Sequence, residues 1–251
     1  MSRTKLLKIS SDHRTSGTNS NFQVHMGNDH TKDIQNIRGI YLVSAMISNT
    51  HYNINSTNNS FVYNLNGGGE TLGTIPEGQY NITTLIDALE SVLTGVTITV
   101  NTLTNKLNFE TDGVTTLDMF SENDRPTSTL SPYLGLFTSF SLAISSNVNM
   151  DNVFDLSGLD LVNIHMNITH GNCLTTDSTR SQSSDIIASI PITSAWGVYN
   201  VFYDNSNGQN SKVIYDNPHT LTYINVRLTD KDNKDIVLQH ETLLMFRLFY
   251  D

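Results

Sequence analysis

Apolar positions recur along this chain in short alternating runs, the period-two signature of strands that bury one face. Phe22, Val24 and Met26 alternate with Gln23 and His25, and Val162, Ile164, Met166 and Ile168 alternate with Asn163, His165 and Asn167. The run 38–47 is apolar on both faces, which predicts a central strand covered twice. Phe61, Tyr63 and Leu65 lead into Gly67-Gly68-Gly69, a hairpin with a glycine tip, and Val96, Ile98 and Val100 face Leu107 and Phe109 across a turn at 101–105. Runs at 186–192, 195–203, 221–228 and 236–250 bring the total to about ten strands. One stretch changes period: Leu85, Ile86, Leu89, Val92 and Leu93 form a stripe that predicts a helix over 84–94, with Thr84 and Asp87 as a weak capping box and Gly95 as its stop. A helix this short is marginal alone, so its stripe must dock on a sheet.

Many short strands between Gly, Pro and Asn turns predict an all-β sandwich or closed barrel. No unit of repeat length recurs, which excludes a propeller or solenoid. The chain reads as an N-terminal arm at 1–20 and a single domain at 21–251, with loop insertions near 111–132 and 205–212. Composition does not change across either loop, so neither serves as a domain linker.

Several short motifs then converge. An arginine-bearing N-terminal segment, Tyr52-Asn53-Ile54, Asn58-Asn59-Ser60-Phe61, the turn Ile75-Pro76-Glu77-Gly78-Gln79-Tyr80-Asn81-Ile82 and Leu134-Gly135 together resemble the penton, or minor capsid, proteins of double-stranded DNA viruses in the double-jelly-roll lineage. That group includes virophages, Polinton-like viruses and large eukaryotic DNA viruses. The resemblance is densest over 38–136. It implies a single jelly-roll β-sandwich with one short inserted helix, five copies of which fill each icosahedral vertex beside the major capsid protein of the same virus. It implies no catalytic residue and no cofactor.

Composition bears on the same question. Charged residues make up 15% of the chain, below the roughly 25% of ordinary soluble domains, and 29 residues are Asn. An amide-rich surface suits contacts with further copies of the chain, because burying amides costs less than burying charges; an AT-rich genome would enrich Asn equally. A net charge of -10 argues against direct nucleic-acid binding. Residues 1–20 nevertheless carry Arg3, Lys5, Lys8 and Arg14 against Asp12, a formal +3 that leaves -13 on the remainder. Such an arm is mobile, lies across an acidic neighbour or faces the genome, and any ordering of it is expected on assembly. A single cysteine, Cys173, excludes an intrachain disulfide framework, and no apolar run reaches the length of a membrane span. Synthesis in the host cytoplasm is therefore expected, and the resemblance implies a place in the virion capsid.

Candidate chemistry is thin. His165, His170 and Cys173 have zinc-ligand residue types without a recognised spacing. The run 230–235 has the look of a calcium loop but lacks glycine at its sixth position and reads better as a hairpin turn. Glu70 with Glu77, or Asp151 with Asp155, would supply the carboxylate pair of a glycosidase only if their separation allowed it. The residues expected to mediate assembly are Arg3, Lys5, Lys8, Arg14, Tyr52, Asn53, Asn58, Asn59, Phe61, Pro76, Glu77 and Tyr80. The alternative is a jelly-roll carbohydrate-binding or fibre-head module that stacks sugars on Trp196, Tyr199 and Tyr203; a Trp196 buried in the core is the favoured expectation and would remove its main platform.

Overall fold

The computed structural model describes residues 3–26, 34–167, 173–176, 181–205 and 212–250. These divide into two compact units, one made of residues 1–51 and 159–251, the other of residues 52–158. The second unit is thus inserted into the first, where the sequence suggests one uninterrupted domain.

The first unit contains strands β1 (Arg3–Ser10), β2 (Ser16–Gly17), β3 (Asn21–His25) and β4 (Ile34–Ser48) before the insertion. After it come β12 (Leu161–Met166), β13 (Cys173–Thr176), β14 (Ser181–Ser184), β15 (Ile186–Pro191), β16 (Tyr199–Tyr203), β17 (Val213–Leu221), β18 (Tyr223–Thr229) and β19 (Leu243–Tyr250). One sheet runs β1-β19-β4-β16, with β17 pairing the other half of the long β4; the second runs β15-β12-β18-β3-β2. Taking β16 and β17 as one interrupted strand and setting aside β2 and the β13–β14 hairpin leaves eight. Their sheet orders are first-eighth-third-sixth and fifth-fourth-seventh-second. That is the strand order of a jelly roll, two Greek keys wound around one core. The core joins Ile9, Ile40, Leu42, Ile47, Phe246 and Leu248 of one sheet to Phe22, Val162, Ile164, Val226 and Leu228 of the other.

Residues 3–10 therefore belong to the fold as its first strand. Arg3 to Ser10 pair in unbroken antiparallel register with Tyr250 to Leu243. Ile9 is buried and Leu7 half-buried, while Arg3, Lys5 and Lys8 are exposed. Charges on both faces hide the alternation from a reading of the sequence, and an edge strand tolerates them because one side of it meets no further strand. The double apolar face of β4 also has a local cause. Its register against β19 slips between Met245 and Phe246, so the inward set changes from Ile40 and Leu42 to Ala45 and Ile47.

The inserted unit holds β5 (Ser60–Leu65), β6 (Thr71–Thr74), the helix α1 (Ile82–Val92), β7 (Val96–Asn101), β8 (Lys106–Thr111), β9 (Leu117–Phe120), β10 (Phe140–Leu142) and β11 (Asn147–Asn149). They form a four-stranded sheet β10-β9-β5-β6 and a three-stranded sheet β11-β8-β7. Leu85, Leu89 and Leu93 of the helix segment share a core with Phe61, Phe109, Leu117 and Met119. The helix starts two residues before the expected position: Asn81 is its cap, accepting from Thr84 N at 3.0 Å, while Thr84 Oγ1 returns the bond to Asn81 N at 3.1 Å. The loop expected at 111–132 contains β9, with Met119 fully buried in the apolar core of the unit. The second expected loop falls largely on residues 206–211, outside the described ones.

Candidate functional site

The motifs at 52–82 close into one hydrogen-bonded knot within the inserted unit. Asn53 is its hub. Its Nδ2 donates to Tyr80 O at 2.8 Å and Leu156 O at 3.1 Å, and its Oδ1 accepts from Tyr80 N at 2.9 Å. Ile54 and Gly78 exchange backbone bonds as an isolated bridge. Asn58 Nδ2 donates to Asn53 O at 2.9 Å while its Oδ1 accepts from Asn55 N at 2.7 Å, and Asn59 Nδ2 donates to Ile75 O at 2.9 Å. Tyr80 Oη donates to Pro76 O at 2.7 Å. Asn53 and Asn58 are both buried, so each amide stands in for a backbone partner that the irregular chain lacks there. Because Asn53 reaches Leu156, the knot also ties together the two ends of the insertion.

The other motif residues are held by packing. Phe61 is fully buried beside Tyr63, ring centroids 5.4 Å apart, and a Cβ on Gly73 would lie 2.8 Å from Phe61 Cζ. Gly135, in the Leu134-Gly135 pair, has φ +79°, and a Cβ there would fall 2.2 Å from Asn152 O. Of the expected assembly residues, Asn53, Asn58 and Phe61 are thus internal, Tyr52, Asn59 and Tyr80 half-buried, and Pro76 and Glu77 exposed. Arg14 binds its own turn, with Nε to Gly17 O at 3.0 Å and Nη1 to Ser11 O at 2.7 Å. Lys5 stacks over the Tyr250 ring at 5.5 Å. Arg3, Lys5 and Lys8 line the exposed first strand, where cations discourage edge-to-edge strand addition.

Three acids of the inserted unit are held below their ordinary pKa values. A side-chain hydrogen bond from Arg125, whose Nε lies 2.8 Å from Glu70 Oε2, lowers Glu70 from 4.5. Thr115 lowers Asp112 from 3.8, chiefly through a hydrogen bond, and Ser139 with Ser121 does the same for Asp124. Each folded pKa lies below its unfolded one, so this stabilisation is complete above the unfolded values and disappears as pH falls through the folded ones. His51, in the jelly roll, is lowered from 6.5 mainly by burial, and its Nδ1 accepts from Val237 N at 3.1 Å. The same sign therefore applies there at higher pH. Urea denaturation at a series of pH values from about 5 to about 2.5 is expected to show the stability of the inserted unit falling as pH falls, and in the variant Glu70→Gln the pH dependence should be shallower. An equally steep profile would contradict the assignment.

Among the described residues, the jelly roll holds one arrangement that looks like enzyme chemistry. His165 Nδ1 lies 2.6 Å from Asp185 Oδ1 and its Nε2 lies 2.9 Å from Thr229 Oγ1, beside a cleft of about 420 Å³ lined by Gln23, Asn167, Asn225 and Arg227. Order and spacing match an acid-base-nucleophile relay. The Thr229 residue is 0% exposed, however, and its hydroxyl also lies 3.2 Å from Asp230 O, so it cannot meet a substrate. Both His165 nitrogens are engaged and no group of three or more metal-binding side chains occurs among the described residues. Cys173 lies on β13, and His170 falls outside the described residues.

The remaining candidates are structural. Asp230 Oδ1 accepts from Asp232 N and Lys234 N, each at 2.8 Å, and Arg227 pairs with Asp235, which makes 230–235 a braced hairpin turn. Asp151 accepts from Phe137 N and Thr138 N, and Asp155 from Ser157 N, so these carboxylates hold loop backbone. Trp196 is 43% exposed in the turn before β16, against the expectation of a core tryptophan: the strand begins four residues later than the apolar run suggests.

A family model described as a family of unknown function (DUF5901) matches residues 10–236. Among solved structures the chain is similar to the mavirus penton protein over 99% of both chains, at 9% identity and a TM-score of 0.47. No curated protein matches at a significant level.

Proposed function

The chain belongs to the DUF5901 family, and we propose that it is a structural protein of a viral capsid, a non-enzymatic vertex (penton) subunit. Five copies would close each five-fold position heterologously, each wedged against its neighbours and the surrounding major capsid protein. Synthesis in the host cytoplasm and incorporation into the virion follow from that role. The observation that carries the reading is the pairing of a jelly roll with a knotted insertion: the residues that bear the penton resemblance, 52–82, build the knot. Within it, Pro76, Glu77 and the exposed part of Tyr80 have surface to offer a neighbour, and Asn53, Asn58 and Phe61 shape the segment that presents them.

Negative-stain microscopy of the purified chain, alone and mixed with a major capsid protein, is expected to reveal five-fold rings or occupied vertices. The exposure of Trp196 and Tyr203 favours a second reading, a glycan-binding attachment module, since exposed aromatics stack on sugar rings. A stable monomer that binds glycans on an array, and loses them with Trp196→Ala, would replace the vertex reading with that one.

A further inference from the structure

The two sheets of the jelly roll present opposite kinds of outer face. On the β15-β12-β18-β3-β2 sheet the outward positions are polar and cross-linked: Gln23 Nε2 donates to Asn225 Oδ1 at 2.8 Å, Ser189 Oγ to Asn163 Oδ1 at 2.6 Å, and Asp185 bonds His165. Its polar groups thus bond one another, with Asn163 and His165 buried and Ser189 and Asn225 exposed. The other sheet differs. Its cross-strand register puts outward Leu243, Met46 and Val201 in one row, Lys8, Met245, Ser44 and Tyr203 in the next, then Leu6, Arg247 and Tyr41, and finally Thr4, Phe249 and Ile214. Leu6, Val201, Tyr203 and Ile214 are each more than half exposed. Tyr41, between Arg247 and the Phe249 ring, is itself buried, and the exposed apolar side chains gathered around it mark an interaction site.

Charge points to the occupant. The charged groups on these rows are the cations Lys8 and Arg247, the latter over the Tyr41 ring at 5.7 Å, and Lys212 sits over Phe249 at 4.9 Å. Among the described residues, Asp204 follows β16 at one end, where its N–H bonds Val43 O, and two acids stand beyond the other end. There Glu241 accepts from Ser10 Oγ at 3.1 Å, and burial, then Glu241 and Asp12, raise the Tyr199 hydroxyl above its ordinary value. With Asp204 these six charges sum to zero, so the rest of the chain carries the whole -10. Two such faces laid on each other would oppose cation to cation, whereas the remaining surface of another copy is acidic.

We propose that the outer face of the β1-β19-β4-β16 sheet is the self-association surface of this protein, covered heterologously by an acidic surface of a second copy. It rests on the reading of the chain as a self-assembling subunit. The basic first strand fits this geometry, because cations along its edge discourage strand addition and leave face-to-surface packing as the available contact.

Sedimentation velocity over a wide concentration range tests it on the full chain. The unaltered protein is expected to associate, Tyr203→Glu and, independently, Val201→Glu to weaken association at least tenfold, and Asn21→Glu on the opposite sheet to leave it unchanged. Thermal melts of all variants should coincide, since these side chains point outward. Lys8→Glu discriminates the mode: it should weaken a heterologous contact with an acidic neighbour, and a strengthening would identify two-fold face-to-face pairing and overturn the proposal. Oligomers that persist in both Tyr203→Glu and Val201→Glu would sink the assigned face while sparing the subunit reading. A chain monomeric at every concentration would overturn this proposal together with the self-assembly on which it rests.

Discussion

Asn53→Leu is expected to destabilise the inserted unit by about 3 kcal/mol, the cost of leaving several backbone groups unpaired in a partly buried place. The side chain makes three bonds, to Tyr80 N, Tyr80 O and Leu156 O, and leucine of similar volume makes none. Asn53→Asp should cost comparably for a different reason. It keeps an acceptor for Tyr80 N but replaces the donor that Tyr80 O and Leu156 O share, setting a carboxylate oxygen against two carbonyls. Asn59→Ala, which removes a single bond to Ile75 O, should cost about 1 kcal/mol. Urea denaturation followed by hydrogen exchange resolved by segment would assign each loss to residues 52–158. A loss of under about 1 kcal/mol for Asn53→Leu would mean that water replaces the amide and that the knot is not the clasp of the insertion.

That clasp explains what could be read from the sequence and what could not. Alternation reveals β3, β12 and β18 because each has one buried and one polar face, the condition under which a period of two is visible. It fails for β1, where an edge position admits charge on both faces, and for β4, where a register slip makes both faces look apolar. The boundary of the insertion leaves no trace in composition, because both units draw on the same Asn, Ser and Thr. Only geometry shows that Asn53 and Leu156, far apart in the chain, meet. The motif residues at 52–61 are legible as a group, but the internal backbone partners of Asn53 and Asn58 are not, because an amide in an irregular segment carries no sign of what it bonds. The abundance of Asn has a local use as well. Four of the five non-glycine residues with positive φ among those described are Asn36, Asn66, Asn105 and Asn233, and Asn enters that region more readily than other L residues. Genome composition and turn chemistry thus select the same residue. The association face was partly visible, since Leu243, Met245 and Phe249 add a second apolar face to a strand whose first is Leu244, Phe246 and Leu248.

Excision of residues 52–158 should leave a jelly roll that folds on its own. All eight of its strands lie outside the insertion, as does every residue of its core, from Ile9 to Leu248. The core of the insertion, from Ile54 to Met150, lies wholly within it. Each unit therefore closes its own apolar interior, the condition for independent folding. Because Asn53 and Leu156 are hydrogen-bonded, the insertion leaves and returns at nearly one place, and a Gly-Ser linker of about six residues is long enough to join residues 51 and 159. The shortened chain is expected to give a single cooperative melt and the β-sheet circular dichroism of a folded sandwich, and the isolated 52–158 fragment a separate transition of its own. Loop-closure entropy works in favour of the excised form, since replacing a long excursion by a short one lowers the cost of bringing β4 and β12 together. If unit stabilities are independent, Asn53→Leu should shift the transition of the fragment and of the full chain equally, while the jelly-roll transition keeps its midpoint. A shortened chain that aggregates or melts without cooperativity would mean that the jelly roll needs the insertion to fold, and the heterologous contact proposed for its outer face would then have to be sought in the full-length protein alone.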